Sequence, residues 1–160
     1  MCLLLKSLRP IRNEDALRAY CQDILEGLDY VHRSGIVHCD IKLANVFLNE
    51  PEREDEFDVA KLADFGLSRF RMPEYGGKAL MAVKCGTMGY MAPEIAQKDS
   101  LVGPEIDMWS FGVMLYEMCV AYKPTKLNNY TYGNWCDLIL AGSGPIPFRK
   151  FDWKKLSPDV

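Results

Sequence analysis

No stretch of this sequence approaches the roughly 18 uninterrupted apolar residues that a membrane-spanning helix needs. The apolar run in MCLLLKSLRP, at the N-terminus, is too short for the hydrophobic region of a secretion signal. Cysteines occur at positions 2, 21, 39, 85, 119 and 136, but none forms a Cys-x-x-Cys pair and no spacing suggests a zinc site. Basic excess is missing too. The net charge is −3, so no global field draws in nucleic acid or an anionic membrane. Internal repeats and low-complexity segments are absent. These absences leave a soluble, cytoplasmic protein with reduced and mostly buried cysteines as the expectation.

What is present is a core. Apolar residues make up 49% of the 160-residue chain, too many for disorder and enough for about one domain. NEDALRAYCQDILEGLDYVHRSG, residues 13–35, predicts an amphipathic helix, with Leu17, Tyr20, Cys21, Ile24, Leu28 and Val31 on one face. Asn13 suits its N-cap, Glu14 and Asp15 its positive end, and Gly35 its stop. IVH, NVFLN and VAKLAD then read as short strands, with the acidic EPEREDEFD as a solvated connection. Residues 66–90 hold scattered glycines and no sustained period, which predicts a long irregular segment of the kind that is usually functional. PEIDMWSFGVMLYEMCV, from Pro104, is apolar on nearly every side except at Asp107, Ser110 and Glu117, which predicts a buried helix. A weaker helix is expected over 129–141, followed by a turn-rich tail. Cys21 and Cys119 read as packing residues, Trp109 as a core anchor, and Trp135 and Trp153 as packing near the surface. Cys85, beside Lys84, reads as an unreactive loop thiol.

IVHCDIKLANVFL, residues 36–48, crowds His38, Cys39, Asp40, Lys42 and Asn45 between apolar neighbours. Asp40 and Asn45 follow one short predicted strand and Asp64 ends another, and two acidic or amide oxygens at the ends of adjacent strands suit a hard cation such as Mg²⁺. Asp40 can accept a proton, and Lys42 can offset charge on a transferred phosphoryl group. A cysteine hydrolase built on His38, Cys39 and Asp40 fails on geometry, because adjacent side chains in an extended segment diverge. A metal site from the same residues fails for the same reason. Asp-Phe-Gly or His-x-Asp alone is unremarkable. The informative feature is order: HCDIKLAN (38–45), then DFG (64–66), then APE (92–94), then DMWSFG (107–112).

That ordered set closely resembles the C-terminal lobe of eukaryotic protein kinases, over essentially the whole chain. The resemblance implies a mainly α fold with a few short β-strands, the large α+β lobe without its N-terminal lobe. It implies that residues 1–160 form a partial kinase domain, incomplete at both ends. ATP and Mg²⁺ are the implied cofactors, and a protein hydroxyl the implied acceptor. Asp40 then resembles the catalytic aspartate and Lys42 the lysine that meets the γ-phosphate. Asn45 and Asp64 resemble the Mg²⁺ ligands, and Phe47 the floor of the adenine pocket. His38 and Phe65 look like the stacked pair that couples the catalytic loop to Asp-Phe-Gly, with Gly66 completing that turn. Asp107 resembles the buried aspartate that holds the catalytic-loop backbone. Lys42 and Thr87 go with serine/threonine specificity, Thr87 as a substrate-positioning residue.

The chain also departs from the family. Cys39 stands where most members carry arginine, and it cannot make that arginine's bidentate contact to a phosphate on the activation segment. Between Asp64 and Glu94 the only hydroxyls are Ser68, Tyr75, Thr87 and Tyr90, and ALMAVKC has none. Activity independent of activation-segment phosphorylation is therefore expected. No Gly-rich phosphate loop, strand lysine or partnering helix glutamate is found, and the usual arginine partner of Glu94 would lie beyond the sequence. The expectation is a serine/threonine kinase fragment, inactive and marginally stable alone, whose partners are ATP, a protein substrate and an N-lobe. The alternative is a pseudokinase-like binding or scaffold module, against which intact Asp40, Lys42, Asn45 and Asp64 argue.

Overall fold

The computed structural model describes residues 2–3, 11–49, 57–81, 86–96 and 100–121. Most of the acidic connection over 50–58, the helix expected over 129–141, Cys85, Trp135 and Trp153 lie outside the described residues.

Helix α1 (Glu14–Arg33) forms where the apolar period predicts it. The Asn13 side-chain oxygen accepts from the backbone N–H of Asp15 at 3.0 Å and of Ala16 at 3.1 Å, which satisfies donors the first turn leaves open. Leu17, Ile24, Leu28 and Val31 are buried, and Gly35 takes φ 75° just past the helix, as a chain-reversing stop requires. Helix α2 (Glu105–Val120) starts one residue later than the proline suggests, with Pro104 as its N-cap. Its buried residues, from Ile106 to Cys119, surround most of the helix.

Seven short strands accompany the two α-helices among the described residues, more than the mainly α expectation allowed. They are β1 (Cys2–Leu3), β2 (Ile36–Val37), β3 (Val46–Asn49), β4 (Val59–Leu62), β5 (Arg69–Phe70), β6 (Ala79–Met81) and β7 (Ser100–Val102). All pairings are antiparallel: β1–β3–β4, β2–β5 and β6–β7. The segment over 66–90 is thus less irregular than its composition predicts, since it holds β5, a 3₁₀ turn at Pro73–Tyr75 and β6. Strands this brief carry no readable period. They exist because remote partners, Ile36–Val37 and Ser100–Val102, complete their hydrogen bonds.

Two apolar clusters fix the layout. Leu17, Ile24 and Leu28 of α1 pack with Ile41, Leu43 and Val46 and with Met114 and Met118 of α2. Val37, Cys39, Ala79, Met91, Val102 and Ile106 form the second cluster. Each fully buried aliphatic side chain contributes about 1.5–3 kcal/mol. Trp109, expected to be a core anchor, is half-buried and touches both clusters. Between the clusters runs the polar stretch 38–45.

Candidate functional site

Strand β2 ends at Val37, and the chain turns at Cys39, whose φ of 68° lies in the left-handed region. The turn is held from α2. Asp107, 1% exposed, accepts from His38 N–H at 2.8 Å, from Cys39 N–H at 2.9 Å and from the His32 ring Nε2 at 2.8 Å. A buried carboxylate needs such donors in place of water.

His38 is fully buried. Asp40 N–H donates to its Nδ1 at 3.3 Å, so the ring hydrogen sits on Nε2 and points to Ala63 O at 3.2 Å. Phe65 stacks on it, ring centres 4.7 Å apart and tilted by 51°. His38 therefore spans the junction between the loop and the end of β4.

Asp40, Lys42, Asn45 and Thr87 converge. Lys42 Nζ donates to Asp40 Oδ2 at 2.6 Å and to Thr87 Oγ1 at 2.8 Å, and the Thr87 hydroxyl donates to Asp40 Oδ1 at 2.6 Å. Asn45 gives its amide hydrogens to Asp40, at 2.9 Å to the backbone oxygen and 3.1 Å to Oδ2. Burial pushes the Asp40 carboxyl up, but the hydrogen bonds from Lys42 and Thr87, the Lys42 charge and the Asn45 amide outweigh it. The net effect holds Asp40 below the ordinary carboxylate range, hence ionised at neutral pH. Thr87 reaches the loop because Gly86, at φ 111°, passes close beneath it. A Cβ at Gly86 would sit 2.9 Å from Cys39 O and 3.1 Å from Met91 Cγ.

Asn45 ends the 3₁₀ turn Leu43–Asn45, and its backbone oxygen accepts from Ala63 N–H at 2.9 Å. That bond brings Asp64, one residue further, to the same sheet end. Asp64 is exposed, takes φ 64°, and accepts from Gly66 N–H at 3.2 Å. Phe47 is half-buried in β3, and Glu94 is half-buried in the 3₁₀ turn Pro93–Ala96.

The donor set fits a hard cation. The hydrogens of the buried Asn45 amide are spent on Asp40, which leaves its oxygen as an acceptor, and the Asp64 carboxylate lies exposed at the neighbouring strand end. Among the described residues no group of three or more histidine, cysteine or acidic side chains forms a cage, so any cation here would take remaining ligands from water or phosphate.

Sequence reasoning missed His32 and Arg71. His32 joins Asp107 across 75 positions, and Arg71 reaches the His32 backbone across 39, distances that no helical or strand period reports. The available signal was scarcity: the chain has two histidines, and both contact Asp107 or its loop. Cys39 and Cys119 are buried and Cys21 half-buried, in line with packing. Burial, and next the neighbouring Cys119, pushes the Cys21 thiol up to about 11.

The protein kinase domain family matches residues 4–145. A probable serine/threonine-protein kinase KIN1 homolog of Enterocytozoon bieneusi is 40% identical over 149 residues, 92% of this chain and 22% of that protein. Another KIN1 homolog, of Encephalitozoon cuniculi, is 39% identical over 115 residues, 72% of this chain and 18% of that protein. NUAK family SNF1-like kinase 2 of Rattus norvegicus is 43% identical over 108 residues, 68% of this chain and 16% of that protein. The chain thus spans about a fifth of the length of these relatives. Among the described residues no helix is long and apolar enough to cross a membrane. With a matched region that runs through the loop, the Asp-Phe-Gly turn and α2, this chain belongs to the protein kinase family.

Proposed function

We propose that the protein carrying this chain is a serine/threonine protein kinase, and that the chain supplies the phosphate-transfer half of its active site. The observation that carries the reading is the closed set of hydrogen bonds joining Asp40, Lys42, Asn45 and Thr87.

Asp40, kept ionised by its neighbours, orients the acceptor hydroxyl of the protein substrate and takes its proton as the oxygen attacks. Lys42 meets the charge that develops on the transferred γ-phosphoryl oxygens of ATP. Thr87 bridges the two and fixes the acceptor side of the site, which fits a short serine or threonine side chain. Asn45 and Asp64 would hold Mg²⁺, and Phe47 would lie under the adenine ring. Mg²⁺ bound there neutralises phosphate oxygens. His38, Phe65, Gly66, Glu94 and Asp107 support this arrangement. Residues 1–160 are on this reading a C-terminal lobe, with the remaining ATP contacts supplied by an N-lobe elsewhere in the protein. Free thiols at Cys21 and Cys119 fit a cytoplasmic location.

The test is phosphate transfer from Mg-ATP to serine- and tyrosine-bearing peptides by the full-length protein. Transfer to serine, reduced on the order of 10²–10⁴-fold by Asp40→Asn, is the expected result. Transfer unaffected by that change, or nucleotide binding with no transfer at all, would sink the proposal and favour a scaffold.

A further inference from the structure

Thr87 meets Lys42 and Asp40 across 45 and 47 positions, and Cys39 offers no cation to hold the segment after Asp-Phe-Gly against the loop. It is buried in an apolar cluster with Val37, Ala79, Met91 and Val102. Arg71 provides a different attachment. Its backbone N–H donates to Gly35 O at 2.8 Å. Its side chain donates from Nε to Gly77 O at 2.5 Å and from Nη1 to His32 O at a longer 3.4 Å.

The chemistry of these acceptors is consistent. The His32 carbonyl lies in the last turn of α1, where it also accepts from Gly35 N–H at 3.1 Å, and the partial negative charge of that helix end favours a guanidinium. The Gly77 carbonyl is aimed at Arg71 by two consecutive left-handed residues, Gly76 at φ 64° and Gly77 at φ 74°. Met72 N–H donates to Lys78 O at 2.9 Å and Gly77 N–H to Met72 O at 3.0 Å, so the 71–78 turn closes on itself around Arg71.

From Arg71 the attachment continues into the site. Phe70 pairs with Ile36 and Arg69 with Val37, and the Ser68 hydroxyl donates to His38 O at 3.3 Å. The His32 ring, on the residue whose carbonyl Arg71 meets, donates to Asp107, which holds the N–H groups of His38 and Cys39.

We propose that Arg71 is a phosphate-independent latch: a positioning residue that ties the segment over 69–78 to the end of α1 and so sets the catalytic loop and Thr87 without phosphorylation of that segment. The latch rests on the phosphate-transfer reading above and names its regulation.

The test uses the full-length protein. Phosphatase treatment of the wild type is expected to leave kcat within about twofold. Arg71→Ala is expected to lower kcat on the order of 10- to 100-fold, with the KM for ATP nearly unchanged, because orientation rather than nucleotide binding is lost. Amide exchange should quicken over 69–78 while the buried face of α1 stays protected. Arg71→Lys, which keeps charge but not the two-carbonyl reach, should fall between. Loss of wild-type activity on phosphatase treatment overturns the proposal, as does an Arg71→Ala variant with unaltered kcat. Should Arg71→Ala unfold, Arg71→Gln is read by the same measures. If the wild type transfers no phosphate, the kinase reading fails by itself. The latch is then decided by exchange alone, and unaltered exchange over 69–78 in Arg71→Ala overturns it.

Discussion

Asp107 illustrates what one buried carboxylate does in this molecule. Three N–H groups from two distant segments end on it, so its removal strands three donors rather than one contact. An unsatisfied buried donor costs about 1–3 kcal/mol, so Asp107→Ala should lower stability by about 3 kcal/mol or more in urea unfolding. Asp107→Leu should do no better, since the lost acceptors and not the lost volume set the cost. Asp40 makes a different prediction, through pH. Its folded-state carboxyl titrates lower than its unfolded one, so its ionised form contributes stability that is fully present above the unfolded value of about 3.9. That contribution is lost as pH falls through the folded value. The stability difference between wild type and Asp40→Asn, measured by urea unfolding, should therefore be constant from pH 7 to 5 and change only below about pH 4. A difference that changes between pH 5 and 7 would contradict the charge arrangement around Asp40.

At the scale of elements, legibility followed the length of the pattern. Helix α1 spans 20 residues, which lets a 3.6-residue period declare itself, and its Asn13 cap was readable from residue type alone. Asn13→Ala should cost about 1 kcal/mol, seen as a lower urea midpoint with an unchanged slope. Helix α2 was readable for the opposite reason, as an apolar run with isolated polar residues that needed buried partners. Strands β5, β6 and β7 were not readable. Two or three residues give no alternation, and their pairing depends on where β2 and the stretch before α2 come to lie. Of the site, the residues contributed by the compact HCDIKLAN stretch were visible together because they are adjacent in sequence. The Thr87 bridge to Lys42 and Asp40, the His32 bond to Asp107 and the Arg71 attachment needed the fold, since each joins side chains more than 35 positions apart.

At the scale of the whole molecule, the described residues pair one part of the site and leave another part exposed. Asp40, Lys42 and Thr87 satisfy one another at the end where the acceptor would bind. On the other side a groove of about 390 Å³ runs between α1 and β4, lined by Gly27, Tyr30, Val59, Leu62 and Phe65. Tyr30 is 74% exposed and Phe65, the residue stacked on His38, is 45% exposed, so apolar surface next to the proposed nucleotide site faces water. The 160 residues hold no Gly-rich loop to cover phosphates from that side. Positioning is the larger share of phosphoryl-transfer catalysis, and on the proposed reading these residues supply only part of the ATP site. The 160-residue chain by itself should therefore transfer no phosphate from Mg-ATP above the level of its own Asp40→Asn variant, and Mg-ATP should leave its melting temperature unmoved. On the proposed reading the full-length protein should transfer phosphate and be stabilised by Mg-ATP, with amide exchange slowed around Phe65. Turnover by the 160-residue chain that Asp40→Asn abolishes would mean that these residues bind ATP on their own, and that the open groove is not a surface waiting for a second lobe.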